Sequence, residues 1–206
     1  MIHNDTFTRR RITPFYVWWK DAFTNVQLDH FENMCSKFDL YRGGVVKENG
    51  QTVDGSVRVS DIKFFERNDE TSWIFDTYNN VIESINDQFY QFDLHGYNTI
   101  QYTVYNGNEQ GKYDWHGDTV LGYELEPVMK MLDTRKLTLV MLLNDRNEFE
   151  GGDFQINTGQ EKNPLTICME RGTIIAFPSF MIHRVTPVLS GVRKSIVIWV
   201  EGPKFR

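Results

Sequence analysis

Apolar positions in the first ninety residues recur at helical spacing. Leu28, Phe31, Cys35 and Phe38 fall on one face behind Thr24-Asn25-Val26-Gln27, which has the form of a capping box, and predict a helix over about 24 to 38. A second stripe, Ile74, Tyr78, Val81, Ile82, Ile85 and Phe89, advances in steps of three and four. It predicts a helix over about 70 to 90, opened by Asp69 or Thr71. Both helices are amphipathic, so each needs a surface to cover. Between them, Val45 to Val57 carries Glu48-Asn49-Gly50 and Asp54-Gly55 flanked by valines, the signature of a hairpin.

From about residue 98 the period shortens to two. Strands are predicted over about 99–105, 113–118, 137–143, 153–157, 165–170, 173–177, 181–187 and 194–200. Short strands this closely spaced, punctuated by glycines at 107, 111, 151, 152, 159, 172 and 191, predict a mainly β fold with supporting α. The expected form is a double-stranded β-helix, or jelly roll, braced on one outer face by the N-terminal helices. No repeat, low-complexity tract or linker divides the chain, so residues 1–206 are read as one domain, 1–96 supplying helical support and hairpin and 97–202 the β core. Segment 119–136 has no clean strand period and is long for a bare connection, which makes it a candidate lid or short helix over an opening. The hairpin at 44–62 reads either as a substrate lid or as a plain surface hairpin.

With 40% apolar, 14% aromatic and 24% charged residues among 206, the chain can build a sizeable core, which excludes disorder, collagen and coiled coil. Twenty-two basic against 28 acidic residues leave a net charge of −6, a field that repels nucleic-acid backbones and anionic lipid headgroups, so neither is an expected partner. The longest apolar runs, Leu139–Leu143 and Ile196–Val200, fall far short of the roughly 20 residues that span a bilayer. Arg9-Arg10-Arg11 has no apolar core behind it, so it reads as a solvated tail rather than a secretory signal. Cys35 and Cys168 lie in apolar patterns and read as reduced core residues; a cytoplasmic setting is expected.

The candidate chemistry begins at Tyr113-Asp114-Trp115-His116-Gly117-Asp118. Alternation along a strand puts His116 and Asp118 on the same face, an imidazole beside a carboxylate. Of the other histidines, His3 is in the tail, His30 on a helix and His95 in a turn; only His183 lies in the strand-rich half. Two imidazoles and a carboxylate on one face of a metal leave adjacent positions open, the arrangement of non-haem Fe(II) oxygenases. A His-x-Asp with a distant His also arises by accident, so alone it is weak. Arg193-Lys194-Ser195 strengthens it. Arg193 and Ser195 share a face at the head of an apolar strand, and a guanidinium pointing into a barrel needs an anionic partner such as a dicarboxylate. The plain alternative for Arg193 is a surface ion pair.

These blocks together resemble the Fe(II)- and 2-oxoglutarate-dependent dioxygenases of the prolyl 4-hydroxylase type, including the PKHD-type hydroxylases. The resemblance spans roughly residues 97–202 and rests on Tyr105-Asn-Gly, Tyr113-x-x-His116-x-Asp118, Leu137 to Asn144, Glu150-Gly-Gly-Asp-Phe154, Gly172 to Pro178, His183-Arg-Val-Thr-Pro-Val and Gly191-Val-Arg193. It implies that His116, Asp118 and His183 hold iron and are the catalytic residues, and that Arg193 anchors the distal carboxylate of 2-oxoglutarate. Ser195 and Tyr105 are implied as further cosubstrate contacts, Tyr105 at a spacing to His116 one residue longer than usual in the family. Leu142 falls where some branches carry a tyrosine, which removes one hydrogen bond from the distal carboxylate. The implied reaction hydroxylates an unactivated carbon, most directly a prolyl residue of a protein or peptide, with a small molecule as the other substrate class; succinate and CO2 are released, and ascorbate is an optional accessory.

Other positions have plainer readings. Gly151-Gly152 reads as a turn or bulge that lets the barrel close, Pro178 as a strand-end device, and Trp115 and Trp199 as packing residues. Two other function classes fit the ligand set: a zinc hydrolase with Glu150 or Asp153 as base, which leaves Arg193 and Ser195 without a role, and a non-catalytic jelly-roll binding module.

Overall fold

The computed structural model describes residues 13–47, 50–119, 133–160 and 162–204. The arginine triplet, the Glu48-Asn49 hairpin tip and most of the 119–136 segment lie outside these residues. In chain order, Val17–Trp19 (β1) precedes helix α1 (Asn25–Cys35). Tyr41–Arg42 (β2), the paired Val45–Lys47 (β3) and Gly50–Thr52 (β4), Arg58–Val59 (β5) and Asp61–Glu66 (β6) lead to helix α2 (Ser72–Ile85). Then come Thr99–Asn106 (β7), Lys112–His116 (β8), Thr134–Leu142 (β9), Phe149–Gly151 (β10) and Phe154–Ile156 (β11). Leu165–Ile167 (β12), Ile174–Pro178 (β13), His183–Val185 (β14) and the long Val188–Gly202 (β15) complete the order.

Two antiparallel sheets face each other. The larger runs β1-β13-β9-β15-β7-β6-β2, with β10 attached to the start of β15; the smaller runs β12-β11-β14-β8-β5. This is the jelly roll the sequence predicts. Alternation divides the larger sheet cleanly. Leu137, Leu139, Met141, Ile196, Ile198 and Val200 turn outward and pack under Leu28 and Phe31 of α1 and Ile74, Tyr78 and Ile85 of α2. Val140, Leu142, Ile175 and Phe177 turn inward against Phe154, Ile156 and Val185 of the smaller sheet. Each fully buried Phe, Leu or Ile contributes about 1.5–3 kcal/mol, so the outer core fixes the larger sheet as a rigid floor. The inner face of that floor also carries Gln101, Thr103, Thr138, Arg193 and Ser195, all buried. Polar side chains on the inside of a closed sandwich mark where chemistry, not packing, chose the residue.

Local signals account for most elements. Thr24 caps α1, its hydroxyl accepting from Gln27 N while the Gln27 side chain accepts from Thr24 N, the predicted capping box. At Gly151 the β10–β15 register shifts by a bulge, φ is +71°, and a Cβ would meet Pro187 O at 2.3 Å, so the turn reading of this glycine holds.

The structure corrects four expectations. The second helix ends at Ile85 and continues as one π turn, Asn86–Tyr90, which shifts the stripe by one residue: Tyr90 is buried, its hydroxyl donating to Ala176 O at 3.0 Å, and Phe89 is exposed. Cys168 is exposed rather than in the core, because Ile167 and Met169 take the inward positions of its segment; Cys35 is buried as expected. The region after Thr52 is not hairpin but two sheet strands, β5 beside β8 and β6 beside β7. Trp199 lies on the inner face of β15 and lines a cavity instead of the core.

Candidate metal centre

β8 and β14 are neighbours in the smaller sheet, and His116 and His183 are directly paired across them. Asp118 follows two residues after His116, where its amide and that of Thr119 donate to Ser179 O at 2.9 and 3.1 Å. Strand pairing and this short turn bring three side chains together that are up to 67 positions apart in sequence. The candidate ligand atoms of His116, Asp118 and His183 all lie within 4.8 Å of one another. His116 Nε2 is 3.7 Å from Asp118 Oδ1, and His183 Nε2 is 3.6 Å from Asp118 Oδ2.

Each imidazole is oriented by its far nitrogen. His116 Nδ1 sits 2.8 Å from Asp114 O and His183 Nδ1 2.9 Å from Met181 O; a carbonyl only accepts, so both Nδ1 atoms carry the proton and both Nε2 lone pairs face Asp118. Tyr113 stacks on the His116 ring with centroids 3.5 Å apart, and Arg58 covers the other side of Tyr113 at 4.6 Å. Burial, then the neighbouring His183, pushes the His116 pKa down to about 3, so the ring is neutral and free to coordinate at ordinary pH. Burial pushes the Asp118 carboxyl up, but His183, His116 and the hydrogen bond from Thr138 outweigh it and hold the pKa below the usual carboxylate range. Thr138 Oγ1 donates to Asp118 Oδ2 at 2.8 Å and in turn lies 2.9 Å from Ser179 Oγ. The Trp199 indole N–H faces the same carboxylate and adds to its stabilisation without a fully formed hydrogen bond.

The same cavity continues along the inner face of β15 to Ser195, Tyr105 and Arg193. Arg193 is 1% exposed, and Nη1 has no hydrogen-bond partner among the described residues. Its other contacts are weak, Met169 Sδ at 4.0 Å and the face of Tyr105 at 5.4 Å. Burial pushes its pKa below the ordinary guanidinium value. A guanidinium held in this way lacks only its anion, and a divalent-metal ligand set with a buried cation behind it suits a chelating dicarboxylate. The donors present therefore fit both iron and 2-oxoglutarate: two imidazoles whose Nε2 atoms face a carboxylate, and a buried guanidinium in the same cavity.

All six predicted site residues line this cavity. Trp115 lies on the opposite face of β8 from His116, under the Arg184 guanidinium at 4.4 Å. Of four further residues around the site, three are not singled out from sequence and Trp199 is read there as packing. Thr138 and Gln101 are polar side chains within apolar strands, a legible sign; Arg58 and Trp199 depended on β5 joining β8 and on the inner face being a cavity wall.

Residues 100–201 match the family model of the 2OG-Fe(II) oxygenase superfamily. A PKHD-type hydroxylase of Synechococcus sp. (strain CC9605) is 34% identical over 90 residues, 44% of this chain and 36% of that protein. The matched stretch spans about a third of the length of that hydroxylase and of the PKHD-type hydroxylases of Psychrobacter sp. (strain PRwf-1) and Synechococcus sp. (strain CC9311). In fold, the chain resembles a Pseudomonas putida prolyl-4-hydroxylase, with a TM-score of 0.70 at 14% identity over 92% of this chain and 94% of that one. It also resembles a Trichoplax adhaerens prolyl hydroxylase in complex with a hypoxia inducible factor oxygen degradation domain peptide fragment, with a TM-score of 0.69 at 15% identity over 91% and 83%.

Proposed function

Since the chain belongs to the 2OG-Fe(II) oxygenase superfamily, we propose that it is a 2-oxoglutarate-dependent hydroxylase that binds Fe(II) through His116, Asp118 and His183. The observation that carries this reading is the buried Arg193 with its unpartnered Nη1 in the cavity of the three ligands. When bound, iron and 2-oxoglutarate supply the oxidising chemistry, in which one oxygen atom ends in succinate, the other in the hydroxyl of the product, and CO2 leaves. The chain's own residues bind and orient. Asp114 O and Met181 O keep Nε2 of each histidine turned to the metal, and Thr138 holds the carboxylate of Asp118. Arg193 receives the distal carboxylate, with Ser195 and Tyr105 beside it. The apolar lining of Val140, Phe154, Val185 and Val197 keeps water from the reacting carbon.

We assign a prolyl residue of a protein or peptide as the substrate. The peptide bound by the Trichoplax protein and the hydroxylase names of the curated relatives support that class. A zinc hydrolase would use the same ligands but would leave Arg193 without an anion. No helix among the described residues is long and apolar enough to cross a membrane, and the buried thiol of Cys35 suits the reducing, cytoplasmic setting we assign. The test incubates the protein with Fe(II), 2-oxoglutarate, oxygen and a set of proline-containing peptides, with and without ascorbate. Succinate and a hydroxylated peptide are expected, ascorbate sustaining the rate. If the Fe(II)-loaded protein neither binds 2-oxoglutarate nor forms succinate, the reading fails.

A further inference from the structure

Among the described residues, four buried side-chain polar atoms have no hydrogen-bond partner, and three belong to residues that line one cavity: Arg193 Nη1, Trp199 Nε1 and Gln101 Oε1. A buried polar atom without a hydrogen-bond partner is costly to a fold, so such a concentration marks groups waiting for a ligand. Arg193 has its proposed partner and Trp199 faces Asp118. Gln101 has no role so far.

Its placement is specific. On the inner face of the larger sheet, Arg193 pairs with Tyr105, Ser195 with Thr103 and Val197 with Gln101. The Gln101 side chain does not stay at its own rung. It folds back along β7, Nε2 lying 2.7 Å from Thr103 Oγ1, which carries the amide towards the Ser195 and Arg193 rungs. On the other flank of Ser195 stands Leu142, which offers no donor. Arg193, Ser195 and Gln101 thus line the same cavity from successive inner-face rungs of the larger sheet, with Phe154 and Val185 of the smaller sheet also in its wall.

We propose that Gln101 is a third anchor for the distal carboxylate of the dicarboxylate cosubstrate, a role that rests on the oxygenase reading above. The two ends of a carboxamide are nearly the same shape. Turning the amide over keeps the bond to Thr103, whose hydroxyl then donates to Oε1, and sends the Nε2 donors into the cavity. A carboxylate held by Arg193 accepts one of them. Ligand binding then satisfies Arg193 and Gln101 together, and a 2-oxo acid without the distal carboxylate leaves both unpaired.

The experiment is calorimetric titration of the Fe(II)-loaded full chain, without oxygen, with 2-oxoglutarate and with 2-oxobutanoate, which lacks the distal carboxylate. Gln101→Met, of similar length but without the amide, should weaken 2-oxoglutarate about three- to tenfold and leave 2-oxobutanoate within about twofold. Gln101→Glu places a like charge beside the carboxylate and should weaken 2-oxoglutarate further, by about thirtyfold or more. Circular dichroism and iron content of both variants should match the parent. Unchanged 2-oxoglutarate affinity in Gln101→Met, or equal weakening of both ligands, overturns the assignment and leaves the oxygenase reading intact. A parent protein that does not bind 2-oxoglutarate overturns both.

Discussion

His116 and His183 are cross-strand partners, their ring centroids 4.2 Å apart, and each is fixed by a carbonyl of its own chain two residues earlier. A ligand pair set by strand register is rigid before any metal arrives. Asp118 completes it from the turn that ends β8, tied to Ser179 by its backbone and to Thr138 by its carboxylate.

We predict that His116→Ala, Asp118→Ala and His183→Ala each lose stoichiometric iron and all turnover while the fold survives. Thr138→Val removes the hydroxyl that bonds Asp118 and Ser179 while keeping the shape of the side chain, and should lower iron affinity about ten- to a hundredfold, the usual effect of an outer partner of a ligand. Metal analysis beside circular dichroism reads both. A triad variant that holds iron like the parent takes that residue out of the centre.

The π turn after α2 yields a prediction on neighbouring residues. Tyr90→Phe should destabilise the protein by about 1 kcal/mol through the lost bond to Ala176 O, whereas Phe89→Ala should stay within about 0.5 kcal/mol. Urea unfolding compares them. The reverse order would mean that the helix runs on regularly to residue 90, as its spacing alone suggests.

That case shows where sequence pattern stops. Both helices and most strands from 99 onward are legible in the spacing of their apolar positions, whereas Phe149–Gly151 (β10) is not among the predicted strands. A π turn adds one residue to a single turn and leaves no trace in composition, so the pattern favours Phe89 over Tyr90. Strands β1 and β5, of three and two residues, are too short to show a period and exist because β13 and β8 offer them an edge. The triad and Arg193 could be picked out as residue types in strands. Which inward residues wall a cavity was not legible, since Trp199 in the apolar run of β15 looks like core until the smaller sheet is placed opposite.

The two cysteines should differ in reactivity. Burial pushes the Cys35 thiol well above its ordinary pKa, and its side chain lies under α1, while Cys168 is exposed. A thiol reagent should label one cysteine quickly in the native protein and the second only on unfolding. Peptide mapping should identify Cys168 as the fast site. Rapid labelling of Cys35 would contradict the packing of α1 on the larger sheet.

Arg193 should oppose stability and function. Arg193→Lys keeps a charge but loses the planar fork and should weaken 2-oxoglutarate binding by about 1–3 kcal/mol. Arg193→Met removes a buried guanidinium whose Nη1 has no hydrogen-bond partner among the described residues, and an apolar side chain of similar length suits the neighbouring Met169, Phe149 and Val188. We predict that this variant unfolds at a higher temperature than the parent when no ligand is present. A gain of about 1 kcal/mol corresponds to about 2–4 °C for a chain of this size. On adding 2-oxoglutarate with iron the order should reverse, because the parent gains about 2.7 kcal/mol at a hundredfold excess over Kd and the variant gains almost nothing. A lower melting temperature for unliganded Arg193→Met would show that the guanidinium supports the fold, and the inference that it awaits an anion would fall.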